Sequence, residues 1–452
     1  MKPSSQPSRT PSRLCPLVAT LILILGQVAV PDSWAASRYK MLYSFQGGSD
    51  GATPGGALTL DRAGNLYGTT IVGGGDQNSC TGDPGTGCGT AFKLTHHSDG
   101  TWTETVLYRF QGNGNGGSDG AGPYGGAMVF GPSGSLLGTT LWGPAYGACP
   151  GGCGAVFELT PKSGSQWRET VLHRFNGADG DGPEGGLSSD GARDFYGTTV
   201  TGGANEGGLG GVVFRITRHS GNWRESTLYS FCSQHDCSDG AFPYAGLLSG
   251  KDGSLYGTTS GGGKDSFACP NGLGCGTVFK LVRNSKGKWK ESVLHAFTPA
   301  DGSQPEAALV SDSKGNLYGT TAINGPFGYG TIFELSPTPK GCWKYRVLHS
   351  FRSGSFYGSS GTRLVFDAAG NLYGAAWGGT RGSCAGGGCG VVYKLALGRH
   401  GRWQYHALYN FSGGQDGGEP LSDLIIDRKG HLYGTAEVGG ANGYGVVFEI
   451  TP

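Results

Sequence analysis

The sequence predicts an all-β protein, a seven-bladed β-propeller of four-stranded antiparallel blades, and three observations lead there. A Leu-Tyr-Gly-Thr-Thr strand recurs seven times, first as Asn65-Leu66-Tyr67-Gly68-Thr69-Thr70, then at Ser135 to Thr140, Asp194 to Thr199, Ser254 to Thr259, Asn316 to Thr321, Asn371 to Ala376 and His431 to Ala436. A fixed period of this kind marks a repeat architecture. Gly 90 and Pro 22 in 452 residues would ordinarily suggest disorder. Here the glycines are phased against Val, Ile, Leu, Phe, Tyr and Trp in alternating runs, which reads as short strands joined by tight turns. The third observation is the strand phase at the two ends. The mature chain opens on a fourth strand, Tyr39 to Phe45, and closes on a third strand, Val446 to Ile450. Seven complete units result only if the N-terminal strand completes the last blade and closes the ring.

The first residues differ from the rest. Lys2, Arg9 and Arg13 precede an apolar run from Leu14 to Val30, followed by Ser33-Trp34-Ala35-Ala36. This is the pattern of a secretory signal peptide over residues 1–35, cleaved after Ala35, with residues 36–452 forming one propeller domain. An uncleaved membrane anchor is the competing reading, because the run is close to spanning length. No second apolar segment follows, so no transmembrane segment is expected after cleavage. The expected location is secreted, periplasmic or at the cell envelope, as a monomer.

Net charge is +1 with 15% charged residues. Neither a nucleic-acid footprint nor an acidic tail is supported, and nucleic acid is not an expected partner. Cysteine usage agrees with export. Ten cysteines are close neighbours: Cys80 with Cys88, Cys149 with Cys153, Cys232 with Cys237, Cys269 with Cys275, and Cys384 with Cys389. Five local disulfides are expected, each contributing about 2 to 2.5 kcal/mol through loop closure. Zinc is the alternative, against which the pairs lie on different repeats and lack a matching histidine set. Cys342 is expected to be a free thiol or to bond between molecules.

Each unit begins with an apolar strand such as Gly56-Ala57-Leu58-Thr59-Leu60, turns through Asp61-Arg62-Ala63-Gly64 and enters the Leu-Tyr-Gly-Thr-Thr strand. A variable Gly-rich loop leads to a third strand such as Gly89 to Leu94. A polar turn then leads to a fourth, such as Trp102 to Phe110, whose alternation fits a half-buried strand. Radial repetition of such sheets protects their edges. An open solenoid would need polar capping repeats, and none is visible.

The Asn-Leu-Tyr-Gly-Thr-Thr strand, the Gly-Thr-Val-Phe type third strand and the Asp-Gly-x-x-Pro turn together resemble the extracellular GloVer tandem-repeat proteins, over nearly the whole mature chain. The resemblance implies export and a repeat scaffold with no established reaction. The chain stops at Thr451-Pro452 directly after a strand, so the C-terminal anchoring tag of many such proteins is not expected.

The turn Asp50-Gly51-Ala52-Thr53-Pro54 recurs at Asp119, Asp179, Asp239, Asp301 and Asp416. A capping Asp, a Gly able to take φ > 0 and a Pro fixing φ explain it structurally. Calcium is the one cofactor left open, though one Asp per turn supplies too few oxygens. No other cofactor and no metal set are expected. The sixth unit breaks the pattern with Ser353-Gly354-Ser355-Phe356-Tyr357-Gly358, where function can displace structure. His173, His295 and His349 replace a fourth-strand Tyr and read as packing variants.

Six tryptophans open fourth strands and read as packing residues, whereas Trp142 and Trp377 follow second strands. In a four-stranded blade that loop and the loop entering the next blade emerge on one face. Tyr124, Phe242, Tyr244, Phe356 and Tyr357 lie on these loops, as do the cysteine pairs. Aromatic rings on stiffened loops can stack on sugars while polar groups bond the hydroxyls, so an extracellular polysaccharide or envelope glycan is the expected ligand. Packing between long loops is the plainer explanation. A glycan-cleaving hydrolase or lyase would also need two converging carboxylates, about 5 to 9.5 Å apart for a hydrolase. Asp181, Glu184, Glu306 and Glu419 are the candidates. A structural envelope component would need neither feature. No nucleophile elbow, zinc-protease motif, phosphate loop or dinucleotide fingerprint is present in context.

Overall fold

A computed structural model describes residues 37–452, apart from 76–79, 81–86, 113–118, 144–148, 150–151, 164–165, 192, 206–207, 265–268, 270–271, 353–361, 379–383, 385–387 and 399–400. The leader and the segment carrying Phe356 and Tyr357 lie outside the described residues. Seven four-stranded antiparallel sheets form the blades. The first comprises β2 (Thr59–Leu60), β3 (Leu66–Thr70), β4 (Thr90–His96) and β5 (Trp102–Arg109) in sequence order. Five more repeat that order. In the last sheet β1 (Arg38–Ser44) lies outside β28 (Val446–Thr451), with Arg38 opposite Thr451 and Ser44 opposite Val446. The ring therefore closes by joining both ends of the chain in one sheet.

The first strands are shorter than the sequence suggests. Only Thr59 and Leu60 pair with the second strand, at Tyr67 and Leu66. The preceding Gly and Ala residues instead pack against first strands of neighbouring blades around the axis. A Cβ on Gly126 would collide with the backbone of Gly186, and one on Gly185 would lie 2.5 Å from the carbonyl carbon of Ala245. Glycine there is a requirement of close approach.

Each part of the repeated motif has a contact that explains it. Asp61 accepts backbone bonds from Ala63 and Asn65 at 2.9 and 2.8 Å, and side-chain bonds from Asn65 and Tyr67 at 2.8 and 3.2 Å. Asp312 and Asp367 repeat the same four bonds. Gly68 admits the Phe92 ring, which a Cβ would approach to 2.6 Å. The first threonine ties one blade to the next: Thr69 donates to the Pro123 carbonyl at 3.0 Å and Thr198 to that of Ala245 at 2.8 Å.

Blades meet through buried aromatic pairs. The phenylalanine ending one blade's fourth strand packs edge-on against the third-strand ring of the next, as in Phe45 with Phe92 at 5.2 Å and Phe411 with Phe448 at 5.1 Å. In the sixth blade Tyr393 takes the second role, 5.6 Å from Phe351.

The turn aspartates serve structure. Asp119 accepts the Tyr108 hydroxyl at 2.6 Å, Asp239 that of Tyr229 at 2.6 Å and Asp416 that of Tyr409 at 2.9 Å. His173 and His295 replace that tyrosine, with contacts of 3.0 Å to Asp179 and 3.4 Å to Asp301. All five local disulfides are formed. Cys342 corrects the expectation of a free or intermolecular thiol. Among the described residues no cysteine is free, and Cys342 is disulfide-bonded. Among the described residues no helix is long and apolar enough to cross a membrane.

Glu104, Glu169 and Glu291 stand two residues after the tryptophans that open their strands, the first two half-buried and the third buried, near turn aspartates of the preceding junction. Burial, then the charge of Asp50, Asp119 and Asp239 respectively, pushes these carboxyls up to about 7, 8 and 8. In the unfolded chain they ionise near 4.5. Their stabilising contribution is thus complete below that pH and disappears as the pH rises through 7 to 8. Asp61 and Asp367 set the acid limit: burial opposes their ionisation, but hydrogen bonds hold both below the ordinary value of 3.8. Thermal midpoints across a pH series should therefore peak on the acid side of neutrality and fall by pH ~8.5. A midpoint constant from pH ~5 to ~8.5 would contradict this assignment.

Candidate functional site

The first strands converge on the axis, so whatever follows each turn proline faces a shared space. That position is Gly55, Glu184, Tyr244, Glu306 and Leu421 in five blades, and Tyr124 in the second. Together with residues of the following turn of chain they line a cavity of about 200 Å³. Isolated bridges between the two loop sets, such as Ala52 with Val72, Ala121 with Trp142 and Gly418 with Val438, place both on the same face, as the strand order requires.

The cavity brings together part of the predicted set. Tyr124, Tyr244, Glu184 and Glu306 all line it. Burial first, and then the charge of Glu306, pushes Glu184 up to about 7, while burial alone takes Glu306 to about 7. Burial, followed by Glu437, Glu184 and Glu306, raises the Tyr124 hydroxyl. Tyr244 is raised by burial, then by Glu184 and Glu306. Two aromatic rings and two carboxyls thus share one recess, and both carboxyls are pushed up by burial.

The other candidates lie elsewhere. Asp181 bridges Thr201 and accepts its hydroxyl at 3.2 Å. Glu419 sits at the position before the turn proline with φ 58 and raises Glu437 by its charge. The Trp142 ring covers Gly122 and packs against the core cluster containing Cys80 and Cys88. Phe242 packs on Cys232, Cys237 and Ala241. Trp377 is half-buried and directly follows its second strand, the position that Ile71 and Glu437 occupy in the first and seventh blades. There a Cβ on Gly55 would lie 2.7 Å from Ile71 and 2.9 Å from Glu437, so this position borders the cavity wall.

Three polar residues of this region escaped sequence reasoning. Glu437 is pushed up to about 7 by burial and then by Glu419, and its Oε1 is buried without a hydrogen-bond partner. Arg363 and Asp423 form a pair within the cavity wall, Nε to Oδ2 at 3.6 Å, and the Arg363 amide donates to Asp423 at 2.6 Å. Burial raises the Asp423 carboxyl, opposed by that guanidinium. The signal was present in the repeat alignment. Arg363 and Asp423 stand where other blades have Ala57, Ala127, Gly186, Gly246 and Ala308, and Glu437 stands where others have Ile71, Leu141 and Val200.

Fold and site define a closed seven-bladed propeller with an acidic, tyrosine-lined axial cavity. The Gloeobacter/Verrucomicrobia repeat matches residues 78–269, 270–385 and 314–452, and the chain belongs to that family. No curated protein matches it. Among solved structures, the Pseudomonas aeruginosa periplasmic gluconolactonase is similar at 15% identity, with 80% of this chain and 91% of that one covered and a TM-score of 0.49. A protein of unknown function from Dyadobacter fermentans covers 92% of this chain and 98% of its own at 12% identity and a TM-score of 0.44. The PQQ-bound aldose sugar dehydrogenase of Streptomyces coelicolor shares 14% identity, with 74% and 96% coverage and a TM-score of 0.44.

Proposed function

We propose that this is an exported propeller that binds an extracellular polysaccharide or envelope glycan by seating one sugar unit in the axial cavity. The observation that carries the reading is the convergence of Tyr124, Tyr244, Glu184 and Glu306 on one recess. A recess of about 200 Å³ has room for one sugar ring. Tyrosine rings offer apolar faces for stacking, and carboxylates accept hydrogen bonds from sugar hydroxyls. The disulfides support an oxidising compartment, and the basic and apolar leader supports export.

A second reading, cleavage of the glycan, is favoured by one observation: Glu306 raises Glu184 within the same cavity. Two carboxyls in one recess are what an acid and base pair requires. A glycan panel scored for retention and for release of reducing ends or unsaturated products separates the readings. Retention without product is expected. Product that disappears in Glu184→Gln and Glu306→Gln would establish cleavage, and neither retention nor product would leave the structural role standing.

A further inference from the structure

Outside the axial cavity, the junction of the second and third blades holds a cluster that no other junction repeats among the described residues. We propose that His173, Asp179 and Glu225 form a binding site for a first-row divalent transition metal, with zinc as its probe. One donor atom from each lies within 4.8 Å of the other two, and His173 Nε2 is 3.0 Å from Asp179 Oδ2.

The repeat itself supplies the comparison. At neighbouring junctions the His173 position is a tyrosine, Tyr108 or Tyr229, whose hydroxyl donates to the turn aspartate. Where a histidine does recur, at His295, the Glu225 position is Tyr345, whose ring stacks on the imidazole at 4.3 Å. Among the described residues, an imidazole nitrogen comes near two carboxylates only between the second and third blades.

The donors are held by the fold. His173 lies on the fourth strand of its blade, Trp167–Arg174, and Glu225 on that of the next, Asn222–Ser230. Asp179 is fixed by the Asn176 amide at 2.9 Å and its side chain at 3.0 Å, and Glu225 accepts the Thr227 hydroxyl at 3.2 Å. The His173 and Asp179 side chains are each 20% exposed, so an ion can reach them. Bonds of about 2.0 to 2.2 Å to one ion bring donors to roughly 3 to 3.5 Å from one another. The His173 and Asp179 atoms already meet that requirement, and a Glu225 donor lies within 4.8 Å of both. A mixed nitrogen and oxygen set suits zinc, cobalt, nickel or manganese, whereas calcium and magnesium take oxygen ligands. Water would complete the coordination, and the ion would clamp two blades together.

The test is calorimetric titration of the chelator-treated full-length protein with zinc chloride, alongside the cobalt absorption spectrum. His173→Tyr imports the residue of the two neighbouring junctions, Glu225→Tyr imports that of the junction at His295, and His295→Tyr serves as a control elsewhere in the ring. One ion per chain is expected, with at least ten-fold weaker binding and no cobalt spectrum in the first two variants and unchanged binding in the third. Zinc bound equally by all four proteins, or by none, overturns the site. If one variant fails to fold, the other decides the matter.

Discussion

Deletion of residues 38–45 should abolish cooperative folding of the whole ring. Strand β1 covers the open edge of β28 along its length, and the fourth strand of the last blade has no other source. Its removal exposes two inter-blade cores, one built around Phe45, Phe92 and Val447 and the other around Phe448 and Phe411 with Tyr39 packed against them. Tyr39 also stacks on Tyr409 at 4.4 Å. The single change Phe45→Ala, at a fully buried ring, should cost about 3 to 5 kcal/mol. Against a typical total of about 5 to 15 kcal/mol, loss of the entire strand is not survivable. Circular dichroism of the truncated protein, heated beside the intact one, gives the result. A sharp transition within a few degrees of the parent would show that the blades are held without ring closure.

The second large effect concerns recognition. Tyr124→Ala with Tyr244→Ala should remove glycan retention while leaving the thermal midpoint nearly unchanged, because both rings are half-buried at the cavity and are not members of the inter-blade cores. Central aromatic contacts of a binding site cost about 2 kcal/mol or more on truncation, so the pair should weaken affinity on the order of a thousand-fold. Trp142→Ala should behave in the opposite way, lowering stability through its contact with the core cluster that contains Cys80 and Cys88, with little effect on affinity. Isothermal titration of each variant with the glycan retained in the panel distinguishes the two. Undiminished affinity in the tyrosine pair would move recognition to the outer loops.

The architecture was legible in the sequence because seven imperfect copies of one sheet report the same strand phase. Each copy averages out the accidents of the others. The terminal strands Tyr39 to Phe45 and Val446 to Ile450 then fixed how the ring closes, since one lone fourth strand and one missing fourth strand have a single solution. The first strands were overextended, because Gly56 and Ala57 resemble strand residues locally but spend their backbone on the axial collar. Glu184 and Glu306 were legible as candidates from their place after the turn proline. Asp181 and Glu419 were indistinguishable from them by spacing alone, since one or two residues along an irregular turn decide whether a side chain faces the axis. Arg363, Asp423 and Glu437 were missed for the reverse reason. Their signal is a departure from the apolar or small residue of other blades, whereas a repeat motif consists of what recurs. Cys342 was misjudged because pairing was inferred from nearness in the chain.

Hydrogen exchange with and without the retained glycan tests the axial site most directly. If the axial cavity is the site, protection will concentrate in residues 123–128, 183–188, 243–248 and 305–309, the segments that line it from four blades. Protection confined to the disulfide-bearing loops near Trp142 and Cys149, with those axial segments exchanging as in the free protein, would contradict it.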